Sequence, residues 1–451
     1  MFFLARRERE PVTGGARRAR WVTLAFLALL QFLIAVDVTV VNVALPSIGA
    51  YLQAAPHELT WVVTGYTVAG GGLLMLGGRV ADLLGRRRTL VAGAAVFALA
   101  SLAAGLAPSL PLLVLARFAQ GVGEALALPA AMSLLAVMFP EPRERSRALG
   151  VWAAVASSGL VLGFLVSGVL TQLAGWRWIF LVNPPLVLVV LCGVWLLVRP
   201  DGPVVRRPIA VAGGLLLTAA PLLAVYGLAG LGEGDGSPVV AAAALAAVAA
   251  SAAAFVLVER RSAHPLVPPS FFSSRVRVVA NGATALLSAA LSAAFFLLTL
   301  SLQQERGLSP IAAGVTFLPL AFTLIATGVV VPGLIRRAGL GAVALAGIAV
   351  TGAGVAWLAL APPEGRLLVA VVPGMVLLAL GMGAGLVALQ NAALHGVSGD
   401  DAGMASGVQR CADQLGGAAG VALYVGVGFS PVVAGGADPY TVAYGLAGAG
   451  L

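Results

Sequence analysis

Lysine is absent from this 451-residue chain, and all 27 of its positive charges are arginine. A Walker A loop needs a lysine to reach the nucleotide phosphates, so the chain has no P-loop of its own and an ion gradient is the expected source of any work it does. Charge is scarce altogether, at 10% of residues, where a soluble globular protein has about 25%. Cysteine is scarce too. Cys192 and Cys411 both lie in apolar stretches, which argues against a disulfide framework or a thiolate metal site. The histidines, His57, His264 and His395, show no metal-ligand spacing. No Gly-x-Ser-x-Gly elbow and no His-Glu-x-x-His pair occurs, and no connection is long enough to hold a reactive domain. No enzymatic activity, cofactor or metal is therefore expected.

What is abundant is apolar surface: 60% of residues are hydrophobic and the mean hydropathy is +1.00. A helix crossing a bilayer needs about 20 apolar residues, and thirteen such stretches run from Trp21–Leu45 to Met404–Phe429. A fourteenth begins at Tyr440, where 12 residues remain. These reach about 18 Å, short of a hydrocarbon core of about 30 Å, so the last span is expected to be incomplete in this chain. The first span, long and without a small-residue cleavage pattern, reads as an uncleaved anchor.

The formal charge of +9 could suggest nucleic acid, but its placement speaks for topology. With the N-terminus in the cytoplasm, 22 of the 27 arginines fall in the tail and inner loops. Arg177, Arg306 and Arg366 lie outside, and Arg117 and Arg410 lie within spans. The positive-inside rule is obeyed loop after loop, so no nucleic-acid partner is expected, and the chain belongs in the cell (inner or plasma) membrane.

The informative residue is Asp37, inside the first apolar run. A carboxylate there costs about 2.5–3.5 kcal/mol on insertion scales, which marks it as functional. Asp37 lies eight residues before Leu45 and Arg117 six after Pro111, which puts both about 9–12 Å below the outer boundary, where they can pair. Arg117, Gln120 and Glu124 recur at helical spacing on one face. A plain structural ion pair is the alternative for Arg117, and a hydrogen-bonded packing residue the alternative for Glu124. Arg410 and Asp413, three residues apart, read as neutralising each other on their own helix.

After the second span the chain reads Gly78-Arg79-Val80-Ala81-Asp82-Leu83-Leu84-Gly85-Arg86-Arg87. This resembles the signature loop of the major facilitator superfamily. Its acid is expected to accept from a neighbouring helix N-terminus and to pair with the arginines, so that Gly78, Asp82, Gly85, Arg86 and Arg87 form a conformational latch. Asp37 with Thr39, Asn42, Leu45 and Pro46 resembles the first-helix motif of the superfamily's fourteen-helix drug:proton antiporter branch. Arg117, Gln120, Gly121 and Gly123 resemble the fourth-helix motif, and Trp176 to Pro184 the start of the sixth. Gly307-Leu308-Ser309-Pro310 and Gly403 to Gly407 are similar to the same branch. The antiporter motif of the fifth helix departs from the pattern: Gly159, Gly163 and Gly168 are present, but Phe164 replaces a proline and Ser167 a glycine, so a straighter helix is expected.

The resemblance implies an all-α membrane protein of the major facilitator fold, two six-helix bundles plus two extra helices and fourteen spans in all. Residues 1–20 would form a cytoplasmic tail, 21–198 the first bundle, 199–275 a linker with two peripheral extra helices, and 276–451 the second bundle with its truncated helix. It implies a monomeric multidrug exporter exchanging small, amphipathic, cationic molecules for protons by alternating access. Asp37, Arg117 and Glu124 would couple protons, and Asp37, Asn42, Gln120 and Glu124 would bind substrate. An importer or uniporter on the same fold is the alternative.

Overall fold

The structure is a computed structural model that describes residues 14–201, 211–229, 238–262, 265–362, 364–397, 402–429 and 438–451. Arg6, Arg7, Arg9, Arg206, Arg207, His264 and the expected span ends Ile209 and Leu231 lie outside the described residues. Hydrocarbon offers no partner for backbone N–H and C=O groups, and a helix satisfies them within the segment. The described residues contain helices and no strand. Nine helical stretches among them are long and apolar enough to span, ten if the bent fifth helix counts as one.

The first bundle comprises α1 (Gly14–Leu52), α2 (Pro56–Leu84), α3 (Arg86–Gly105), α4 (Leu110–Met138), α5 (Pro142–Leu173), the short α6 (Trp178–Leu181) and α7 (Asn183–Leu197). The extra helices are α8 (Val211–Ala229) and α9 (Pro238–Arg261). The second bundle comprises α10 (Arg275–Leu300), α11 (Pro310–Thr316), α12 (Leu318–Ala338), α13 (Leu340–Leu360), α14 (Leu367–Ala370), α15 (Val372–Ala393), α16 (Ala402–Gly420), α17 (Gly426–Gly428) and α18 (Pro439–Ala449).

Helix α1 outruns the expected span at both ends and carries Pro46 in its interior. Leu45 and Ile48, fully buried around it, hold the turn in place. Proline withdraws the N–H that would bond the Asn42 carbonyl. In the same turn the Val43 carbonyl accepts from Gln303 Nε2, on the turn after α10, at 2.8 Å, a bond that joins the bundles.

Without a hydrophobic driving force between helices in lipid, small residues set their approach. A Cβ on Gly121 would run into the Tyr66 carbonyl, and one on Gly77 into the Ala125 carbonyl. Helices α2 and α4 therefore pack backbone to backbone.

Two seams join the bundles: α5 against α11, and α2 against α16. The extra helix α8 packs over the second of these seams. It lies against α2 and α16, with Leu222 packed beside Val68 and Ala418, and Thr218 touching the position of a Gly72 Cβ at 2.5 Å. Helix α9 packs on α8 in turn. Gly77→Ala should cost about 2 kcal/mol through overpacking, read as a lower unfolding midpoint in detergent. Gly150→Ala, where nothing lies within 4 Å of the added carbon, should not lower it.

Candidate functional site: a buried ion pair and a carboxylate on the seam

Asp37 and Arg117 meet as expected, at 0% and 1% side-chain exposure, with Arg117 Nη1 donating to Asp37 Oδ2. A charge so buried is expensive unless its lone pairs and protons are met, and here a dense shell meets Asp37 and much of Arg117. Arg117 Nε donates to the Val62 carbonyl of α2 at 3.0 Å, and its Nη1 also donates to Gln120 Oε1 at 3.1 Å. The guanidinium lies 4.2 Å from the Tyr66 ring centroid, a cation–π contact. The other oxygen of Asp37, Oδ1, accepts from Gln120 Nε2 and from Asn183 Nδ2, each at 3.2 Å. Both amides also donate to Ser101 Oγ, at 3.0 and 2.9 Å, and Ser101 passes the chain on to the Phe180 carbonyl at 3.1 Å.

Two of these partners were not assigned from sequence. Asn183 sits where the expected sixth span breaks into α6 and α7, and Pro184 at the first turn of α7 sets the residue that aims its amide inward. Its place beside that proline was the available signal. Ser101, one small residue among many in α3, gave none.

Glu124 shares the face of Arg117 and Gln120 but looks elsewhere. Fully buried, it reaches the opposite bundle: Gln414 Nε2 donates to its Oε1 at 2.8 Å, and Arg410 Nη2 stands 3.7 Å from the same oxygen. Its Oε2 has no hydrogen-bond partner. Arg410 and Asp413 do not neutralise each other. Their helix rotates one toward Glu124 and the other toward α10, where Ser288 Oγ donates to Asp413 Oδ1. Asn42 is buried at 8% exposure with no side-chain hydrogen bond among the described residues.

The signature loop corrects an expectation. Gly85 has φ +100°, a turn that favours glycine, and places the N-terminus of α3 in the loop. The carboxylate that caps it is Asp201: Oδ1 accepts from Arg87 N at 3.1 Å and Oδ2 from Arg88 N at 3.0 Å. Asp82 is exposed and makes no hydrogen bond or ion pair among the described residues. Arg87 Nη2 donates to the Trp195 carbonyl at 2.9 Å, and Arg79 Nη2 to the Pro265 carbonyl at 3.0 Å. Gly78 faces Pro129 of α4 across van der Waals contact, and Arg86 is half-buried at the first position of α3.

The fifth helix corrects another. It lacks the motif proline, yet it bends by 42° between residues 143–160 and 162–173. Gly159 and Gly163 lay it against α1, where a Cβ on Gly163 would run into Thr39 Oγ1, and Ser158 Oγ bonds back to the Ala154 carbonyl at 2.8 Å, a contact that bends helices. Beyond the bend, Ser167 Oγ donates to the Val40 carbonyl, Gly168 touches the Pro310 carbonyl and Gly314 the Phe164 carbonyl. Phe164 itself stacks on Phe317, centroids 4.1 Å apart and planes at 5°, with Phe295 edge-on at 6.0 Å. The arginine-poor ends of the bundles are thus closed together, and Ile311 N donating to Gln172 Oε1 at 3.1 Å adds a polar tie.

Two helical bundles closed at one end, with an ion pair in one and a carboxylate on the seam between them, define a membrane transport protein of the two-bundle kind. The Major Facilitator Superfamily profile matches residues 27–421, and the chain belongs to that superfamily. Over its whole length it is 60% identical to the lincomycin resistance protein of Streptomyces lincolnensis, of which it covers 93%. It is 38% identical to the puromycin resistance protein of Streptomyces alboniger, with 90% of this chain and 81% of that one covered. It is 36% identical to the cephamycin export protein of Amycolatopsis lactamdurans, with 92% and 87% covered. The solved structure of the POT family transporter PepTSo superposes with a TM-score of 0.69 at 16% identity, covering 96% of this chain and 95% of that one, which shows the fold alone.

Asp201→Ala, which strips two backbone donors of their acceptor at a helix N-terminus, should cost about 1 kcal/mol. Thermal unfolding checks it, with Asp82→Ala expected to leave the midpoint in place.

Proposed function

We propose that this protein exports an amphipathic, cationic compound, lincomycin or a related antibiotic, in exchange for protons by alternating access. The observation that carries the reading is the Asp37–Arg117 pair, buried and hydrogen-bonded inside the first bundle. A guanidinium favours the ionised carboxyl and an apolar environment the neutral one. A state-dependent change in that one contact lets Asp37 take a proton on one side and give it up on the other. Moving one charge through 100 mV yields about 2.3 kcal/mol, enough for roughly a 50-fold gradient of substrate.

The arginine-rich face, with the N-terminus, is cytoplasmic in this reading, and the transporting unit is a monomer in the cell membrane. Of the four residues assigned to substrate, Asp37 and Gln120 are saturated by their own network in this conformation. Asn42 and the second oxygen of Glu124 have capacity to spare. The bundles closed at the arginine-poor end and the unpaired Asp82 at the other fit a transporter whose latch is undone on the cytoplasmic side. Phe164, standing where exporters of this branch have proline, favours an importer or uniporter as the second reading; reversing the proton gradient across liposomes and following the direction of lincomycin flux separates the two.

Asp37→Asn should abolish proton-driven uptake of lincomycin into everted vesicles at unchanged membrane abundance. The Val62 carbonyl, Gln120 and the Tyr66 ring still hold Arg117 and offset part of the roughly 3–5 kcal/mol that loss of a buried counter-ion costs, so uptake is read per amount of protein in the vesicles. Full retention of uptake would reject the role of Asp37.

A further inference from the structure

The segment that leads from the extra helices into α10 turns back across the end of the α2–α16 seam. Residues 265–273 finish in a 3-10 turn, Pro269–Ser273, and Leu266, Val267 and Phe271 are each no more than 5% exposed. They form one apolar cluster with Ala405 of α16, against which Met75 of α2 and Val408 of α16 pack. One short segment thus touches both bundles. Two polar groups fasten it. Arg79 Nη2, near the end of α2, donates to the Pro265 carbonyl at 3.0 Å. Glu259 of α9, 6% exposed, accepts from Val267 N through Oε2 at 3.1 Å. That is the one hydrogen bond of Glu259 among the described residues, for its Oε1 has none and presses on α8, where a Cβ on Gly213 would run into it. A glutamate is almost never so buried without a partner, and the partner here is the segment's backbone.

We propose that residues 265–273 are a strap that holds the two bundles together at the arginine-rich end of the α2–α16 seam, and that the seam parts at that end only after the strap undocks. Above the strap the two helices meet directly, Met75 lying 3.7 Å from the position of a Gly407 Cβ, so the strap extends their contact and does not wedge them apart. Ala405, Val408 and Cys411 recur at intervals of three along α16 and share one face. The strap's cluster takes in the first two. Cys411 lies one turn deeper, its Sγ donating to the Gly71 carbonyl of α2 at 2.8 Å. At its other end the strap grips the second bundle again, with the Arg277 guanidinium of α10 standing 5.2 Å from the Phe271 ring centroid, a cation–π contact. The extra helices are then working parts: α9 supplies the carboxylate, α8 backs it, and the strap they hold bears on both bundles. This device goes beyond the antiport reading and needs no substrate to be seen.

Cys411 is a native reporter of that seam. In the full chain carrying Cys192→Ser, purified in detergent, the rate at which a water-soluble maleimide modifies Cys411 at fixed pH reads how often the seam opens. Glu259→Ala, which leaves the Val267 N–H unmet, is expected to raise that rate about tenfold, equivalent to about 1.4 kcal/mol and within the range for a buried group that loses its partner. Arg79→Leu is expected to raise it as well, and Glu259→Gln, which keeps an acceptor for Val267 N–H, to leave it low. Ser167→Cys, in a chain with both native cysteines replaced by serine, places a second reporter at a fully buried position of α5 near the opposite end. It is expected to stay protected in Glu259→Ala, which separates release of the strap from a general loosening of the fold. Cys411 labelling unmoved by Glu259→Ala, or equal acceleration at residue 167, overturns the proposal.

Discussion

A salt bridge that water cannot reach is the constraint from which the rest of the molecule follows. Breaking such a pair by removing one partner leaves a bare charge and costs about 3–5 kcal/mol, so the protein surrounds Asp37 and Arg117 with groups that serve little else. Gln120 and Asn183 come from different helices and converge on one carboxylate oxygen, and Ser101 from a third accepts from both amides. The Val62 carbonyl of α2 accepts from the guanidinium. Helices α2 and α4 must touch backbone to backbone for that contact to form, which explains why the residue after Gln120 is Gly121. The glycine is there because of the charge.

The pair lies within one bundle and cannot by itself tell the other half of the molecule whether it holds a proton. That information crosses at the seams. At the arginine-poor end the seam is made by Phe164 on Phe317 and by close backbone approach at Gly168 and Gly314. Aromatic stacking and glycine contacts do not change with protonation. At mid-membrane the seam between α2, α4 and α16 is polar: Cys411 Sγ donates to the Gly71 carbonyl at 2.8 Å, and Gln414 and Arg410 reach Glu124. A polar seam is sensitive to charge where an apolar one is not, and α8, packed over it, shields it from lipid.

The class of protein was legible because membrane insertion writes itself into composition: apolar runs, arginine placement and a lone aspartate within a span each have one physical cause. The Asp37–Arg117 pairing was implied by the family resemblance and supported by depth, since two residues at equal depth on neighbouring helices have few other partners. What was not legible depended on rotation about a helix axis. Arg410 and Asp413 are three residues apart, and spacing brings them together, but their helix carries one to each neighbour. Asp82 has the spacing of a helix-capping acid, and the cap came from Asp201, more than a hundred residues away in the chain. The bend in α5 was tied in sequence to a missing proline, whereas close packing at Gly159 and Gly163 supplies one without it.

Phe164 shows how one substitution can be absorbed by another device. A proline in that position would bend the helix by removing a backbone hydrogen bond; here the bend is kept by glycine contact with α1 and serine back-bonding. The side chain that replaces it projects across the seam onto α11 and α10, a contact a proline ring is too small to make. The closed end gains a large apolar contact, worth about 0.5–1.5 kcal/mol per aromatic pair beyond the area buried. Reopening that end must overcome it. The same substitution that removes the motif proline therefore shifts the balance between the two states toward the one closed at the arginine-poor face.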